Sequence, residues 1–139
     1  MSRSRLVLAA VAASLMSLQA GAEVWRSADG VRASLVSDEA GVALCIVTRP
    51  GLRLSGEAGI LLTVRLQKGS GDDPAFRHEW TGEGYLRQPH RHAVPAGWPL
   101  DRQRLRAEFG VCSTTDDACL PVTLEFPVVR TGDLARPDC

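Results

Sequence analysis

Cys112 and Cys119 are separated by six residues, within the stretch Phe109-Gly110-Val111-Cys112-Ser113-Thr114-Thr115-Asp116-Asp117-Ala118-Cys119-Leu120-Pro121. A cysteine pair at such short range serves either as a permanent cross-link or as a centre of thiol–disulfide exchange. The spacing is wider than the two to four residues of a zinc knuckle. Closing a loop of roughly eight residues stabilises a fold by only about 2.5 kcal/mol on chain-entropy arguments. The flanking segments have strong strand patterns of their own, so the staple is not obviously needed and a working redox pair is favoured. Asp116 and Asp117 place negative charge beside the sulfurs, with no basic residue in the loop to oppose it. That disfavours thiolate. The pair is therefore expected to wait for a partner's thiolate, as a relay or substrate and not as an autonomous oxidase.

The elements that position this pair are two strands. Leu105, Ala107, Phe109 and Val111 alternate with Arg104, Arg106 and Glu108, and Val122, Leu124, Phe126 and Val128 oppose Thr123 and Glu125. Together they predict a β-hairpin with the cysteines at its mouth, within reach of a disulfide. If the apolar set faces the core, Cys112 faces outward, and Cys119 lies out of phase with Leu120.

The same period of two runs through the rest of the chain. Val31, Ala33 and Leu35 mark a first strand, and Ile60, Leu62, Val64 and Leu66 another. Val42 to Thr48 is a continuous apolar run that suits a strand buried on both faces. Asp38-Glu39-Ala40-Gly41, Arg49-Pro50-Gly51, the stretch from Gly69 to Pro74, and Pro95-Ala96-Gly97 read as turns. The predicted fold is all-β, an immunoglobulin-like antiparallel β-sandwich. The region from Gly69 to Pro99 is the least regular. It is expected to mix short strands with a long loop over one end of the sandwich.

Other reactive side chains have plainer readings. Cys45, within Val42-Ala43-Leu44-Cys45-Ile46-Val47, reads as a small buried hydrophobe with a free thiol. It can pair with Cys139 only if the polar tail folds back. Four cysteines allow three pairings, and 112–119 is the expected one. His90 and His92 lie on one face of a strand, which is compatible with chelation; with His78, the simpler reading is solvent-facing histidines. Trp25, Trp80 and Trp98 read as core or edge packing, and Asp72-Asp73 as a solvated turn. No phosphate loop, nucleophile elbow or protease constellation is present in the sequence.

Residues 1–22 are expected to be a signal peptide. Arg3 and Arg5 precede the apolar run from Leu6 to Met16, and Ala20-Gly21-Ala22 supplies a cleavage site. The run is short for a bilayer span. The remaining residues form one domain over 23–130 and a polar tail over 131–139. The leader carries two of the 16 basic residues and none of the 16 acidic ones, so the remainder has a net charge of −2. That excludes the electrostatic footprint of a nucleic-acid binder, and no later segment is apolar enough to insert in a membrane directly.

Phe109-Gly110-Val111-Cys112, six residues, then Cys119-Leu120-Pro121 and an alternating strand resemble the amino-terminal periplasmic domain of the thiol–disulfide interchange protein DsbD family. Thr48-Arg49-Pro50-Gly51-Leu52 is similar to that family's strand-to-turn element. The resemblance implies an immunoglobulin-like domain that passes electrons to periplasmic thiol–disulfide proteins. Cys119 would form the mixed disulfide and Cys112 would resolve it. It also implies an aromatic cap loop over the cysteines, matched by Trp80 to Arg91, with Tyr85 as its aromatic residue. The family's transmembrane segment and carboxy-terminal thioredoxin-like domain are expected to be absent. A free-standing relative is therefore expected, supplied by another donor such as a membrane electron carrier.

The first expectation is accordingly a soluble periplasmic oxidoreductase domain with Cys112 and Cys119 as its redox centre and no cofactor or metal. The second is a non-catalytic exported binding module with a structural disulfide. A third is a periplasmic metal-binding protein using His90, His92 and cysteines.

Overall fold

The computed structural model describes residues 24–28, 30–65, 76–134 and 139. The predicted signal peptide, the turn around Asp72-Asp73 and the tail residues 135–138 lie outside these. The Trp25 side chain also lies outside the description. Nine strands follow in order: β1 (Val24–Ala28), β2 (Val31–Asp38), β3 (Gly41–Thr48), β4 (Leu52–Val64), β5 (Phe76–Trp80), β6 (Tyr85–Leu86), β7 (His90–Ala93), β8 (Leu105–Ser113) and β9 (Cys119–Phe126). They form two antiparallel sheets, one in the order β1-β2-β3-β7 and the other β5-β4-β8-β9, with β6 added to β4. The predicted all-β sandwich is thus observed. No α-helix occurs among the described residues, and none of them forms a helix able to cross a membrane.

Alternation explains the layering. Ala33 and Leu35 on β2, Leu62 and Val64 on β4, and Ala107 and Phe126 on β8 and β9 are each at most 1 % exposed and belong to one core between the sheets. Val42 to Ile46 behaves as expected of a strand covered twice: Leu44 and Ile46 enter that core, while Ala43 and Cys45 form a second small cluster with Val36 on the opposite face. Near the carboxy-terminal end, Val129 and Leu134 join the core between the sheets. Ser37 donates to the Thr131 carbonyl at 3.3 Å, and Cys139 packs on the cluster.

Turn chemistry joins the strands where the sequence predicts it. The Asp38 carboxylate accepts from the Ala40 amide at 2.8 Å, and Gly41 follows at φ +119° to close the β2–β3 hairpin. Arg49-Pro50-Gly51 carries the chain from the first sheet to the second, with Gly51 at φ +91°.

The longest strand holds the main surprise. β4 pairs with β8 from Leu52 to Ser55, then again from Ile60 to Val64, and residues 56–59 bulge out between. This bulge rests on Gly110, where an added Cβ would lie 2.4 Å from the Ala58 Cβ. Its other side binds the β5–β6 connection: Gly56 donates to the Gly84 carbonyl at 2.8 Å and accepts from the Gly82 amide at 2.9 Å.

Candidate functional site

The hairpin mouth brings Cys112 and Cys119 together in a disulfide. The Ser113 amide donates to the Ala118 carbonyl at 2.8 Å, so Cys112 and Cys119 on the next rung form a non-hydrogen-bonded pair. Side chains approach most closely in such pairs. Between the strands, Asp117 donates its amide to Ser113 at 3.1 Å and adopts φ +55°, a conformation that aspartate tolerates better than most residues. Asp116 turns its carboxylate to the Ala118 amide at 3.1 Å.

The two sulfurs differ in access. Cys119 is exposed, whereas Cys112 is 1 % exposed. The expectation of an outward Cys112 is corrected in this respect: its phase is opposite to that of Val111, it is absent from the core between the sheets, and yet it is covered. Arg53 is its cross-strand neighbour on β4, and the Arg53 guanidinium lies 5.2 Å from the centre of the Tyr85 ring. Tyr85 pairs with Ser55 and donates its hydroxyl to the Asp117 carboxylate at 3.2 Å. That hydrogen bond is the first cause raising the tyrosine pKa, followed by burial and the Asp117 charge. The layer of Tyr85 and Arg53 thus spans from the bulge to the hairpin loop. Beside Cys119 runs a shallow groove of about 400 Å3, lined in part by Ala58, Leu61 and Pro121 with Glu79 and Glu108. Leu120 next to it is 63 % exposed.

Cys45 is not a free thiol. It is bonded to Cys139, 94 residues away, and no free cysteine remains. The tail does fold back, and the Cys139 sulfur lies 3.8 Å from the His90 carbonyl oxygen. On chain-entropy grounds this long closure stabilises by about 4.7 kcal/mol, nearly twice the figure for the hairpin loop.

The histidines are also not solvent-facing. His78 on β5 pairs with Leu62, and His90 and His92 on β7 pair with Ile46 and Leu44, all core positions. β5 and β7 are edge strands of different sheets, and their inward rings meet across the open side of the sandwich. His78 and His92 have ring centres 5.3 Å apart, His90 and His92 6.0 Å, and Trp80 stacks on His90 at 5.8 Å. Burial lowers the pKa of His90, and burial followed by the neighbouring His78 and His90 lowers that of His92 to about 4. The cysteines expected as companion ligands are elsewhere, both pairs closed as disulfides. Trp98 packs on Phe76 at 5.8 Å as an edge residue, as predicted.

Sequence reasoning missed the bulge and the histidine seam. A signal for the seam was present: Phe76, His78 and Trp80 alternate with Arg77 and Glu79, a strand pattern obscured because histidine reads as polar. Comparison of the chain with protein-family models, curated proteins and solved structures finds no match to any of them.

Proposed function

We propose that this immunoglobulin-like sandwich is a periplasmic thiol–disulfide exchange domain with Cys119 as the exchanging sulfur and Cys112 as its resolving partner. The unequal access of the two sulfurs is the observation that carries the reading. A partner thiolate reaches Cys119 and attacks it. The Cys112–Cys119 bond breaks, the electron pair leaves on Cys112, and a mixed disulfide joins Cys119 to the partner. A second partner thiol then attacks the partner's own sulfur and releases Cys119. Two electrons and two protons have passed to this chain, and the partner is oxidised. Run in reverse, the Cys119 thiolate attacks an acceptor disulfide and Cys112 resolves the adduct.

Three features support this. The disulfide closes a hairpin paired from Leu105 and Phe126 to Cys112 and Cys119, an exposed leucine and a shallow groove adjoin the exposed sulfur, and Tyr85 bonds to Asp117 in the loop between the cysteines. The resemblance to the DsbD amino-terminal domain agrees with all three, and periplasmic dithiol proteins are the matching partners. Trapping tests it: Cys112→Ala, expressed with a free Cys119, should accumulate mixed disulfides through Cys119 with exported dithiol proteins. A well-expressed variant that captures none contradicts the proposal.

A second reading, an exported binding module with two structural disulfides, is favoured by the Cys45–Cys139 bond, whose long closure has the character of a staple.

A further inference from the structure

The inward faces of β5 and β7 present a cluster that disulfide exchange does not use. His92 is 7 % exposed, and both its Nε2 and that of His90 are buried without a hydrogen-bond partner. A buried ring nitrogen left unpaired forfeits the hydrogen bond that water would give it. Two of them side by side at the edge of a core, beside a third imidazole, call for a ligand.

We propose that this seam is a copper(I) site, in which His90 and His92 hold the ion through their Nε2 atoms, with the His78 ring beside them on the other sheet. An imidazole nitrogen about 2 Å from a metal ion puts its ring centre about 3 Å away, so rings sharing one ion lie about 5–6 Å apart. The His90–His92 separation of 6.0 Å falls in that range.

The surroundings select the ion. Among the described residues no three ligands stand ready as a metal cage, which disfavours a tetrahedral divalent ion such as zinc. Copper(I) is satisfied by two neutral imidazoles. Arg77, Glu79 and Arg91 on the same strands alternate away from the seam, leaving no carboxylate in it to offset a double charge. A single charge is less costly to bury there. The indole of Trp80, 5.5 Å from His92 and stacked on His90, offers a π-face to a monovalent cation. Both cysteine pairs are disulfides, so the site does not draw on the exchange chemistry and stands apart from it.

The test uses the full chain with both disulfides closed, titrated anaerobically with copper(I) against a chromogenic copper(I) chelator and separately with zinc(II). One copper(I) per chain is expected, with quenching of tryptophan fluorescence. His90→Asn and His92→Asn should each weaken binding by about tenfold or more, and His78→Asn by less than about threefold. Zinc(II) should bind at least about a hundredfold more weakly. His90 and His78 are only half-buried, so their variants keep the test decisive if His92→Asn does not fold. No copper(I) retained by the wild type, undiminished affinity in a folded His90→Asn variant, or tighter binding of zinc(II) each overturns the proposal.

Discussion

The Tyr85 hydroxyl donates to the Asp117 carboxylate at 3.2 Å, and so links β6 to the loop between the two cysteines. The link is long-range in sequence but short in structure. The β4 bulge holds residues 82–84, these set Tyr85 beside Ser55, and Tyr85 reaches over Arg53 to the hairpin tip. The loop between the two cysteines is thereby tied to a part of the chain that carries no sulfur.

Tyr85→Phe removes that bond while retaining the ring. An exposed hydrogen bond contributes about 0.5 kcal/mol, so thermal stability should barely change. The rate of disulfide reduction by a small dithiol should rise, by about two- to fivefold, as the loop is released. Stopped-time alkylation and mass analysis would read it. An unchanged rate shows that Tyr85 does not restrain access.

Gly110→Ala places a Cβ against Ala58 and forces the bulge to move. Overpacking of this kind costs about 1–3 kcal/mol, measurable by urea unfolding. Adding Ala58→Gly removes the opposing carbon, so the double variant should recover most of the loss. A double variant as unstable as the sum of its parts rules out the contact as the cause.

The two disulfides should differ in mechanical importance. Cys139→Ser opens a closure spanning 94 residues and should destabilise by up to about 4–5 kcal/mol. Replacing both Cys112 and Cys119 by serine should cost about 2.5 kcal/mol or less and leave the fold intact. Equal losses in denaturant unfolding would put both bonds in the same structural class.

Stability should depend on pH through His92. Its pKa is about 4 in the fold, below the ordinary value of 6.5, because burial and the facing His78 and His90 oppose its charge. Between these values the unfolded chain binds more protons than the folded one. Stability is therefore complete above about pH 6.5 and falls as the pH drops toward 4, by at most about 3 kcal/mol from this residue. His90, also lowered by burial, acts in the same direction. Urea unfolding of the metal-free protein at pH 7 and pH 4.5 should show this loss, and a folded His92→Asn variant should show less of it. Identical pH profiles for the two proteins contradict the assignment.

Much of this arrangement is legible in the residues. The alternation from Leu105 to Val111 and from Val122 to Phe126 specifies the hairpin and hence the Cys112–Cys119 pair, because side chains two apart share a face. The apolar run around Cys45 likewise announces a strand buried twice. Other features depend on tertiary contacts that no local pattern encodes. Gly56 and Gly59 interrupt the alternation of β4 and resemble a turn, although the strand resumes its pairing beyond them. The outward phase of Cys112 suggests exposure, yet it is 1 % exposed on the face it shares with Arg53. Cys45 finds Cys139 across a separation of 94 residues, a tertiary contact with no periodic signature.

The most direct measurement is the midpoint potential of the Cys112–Cys119 couple in the full chain, equilibrated in dithiol buffers and read by mass after alkylation. A disulfide that is made and broken in function should have a midpoint above about −300 mV, with Cys45–Cys139 still closed at that point. A midpoint well below that value, or simultaneous opening of the two bonds, contradicts the exchange account and leaves a stapled sandwich.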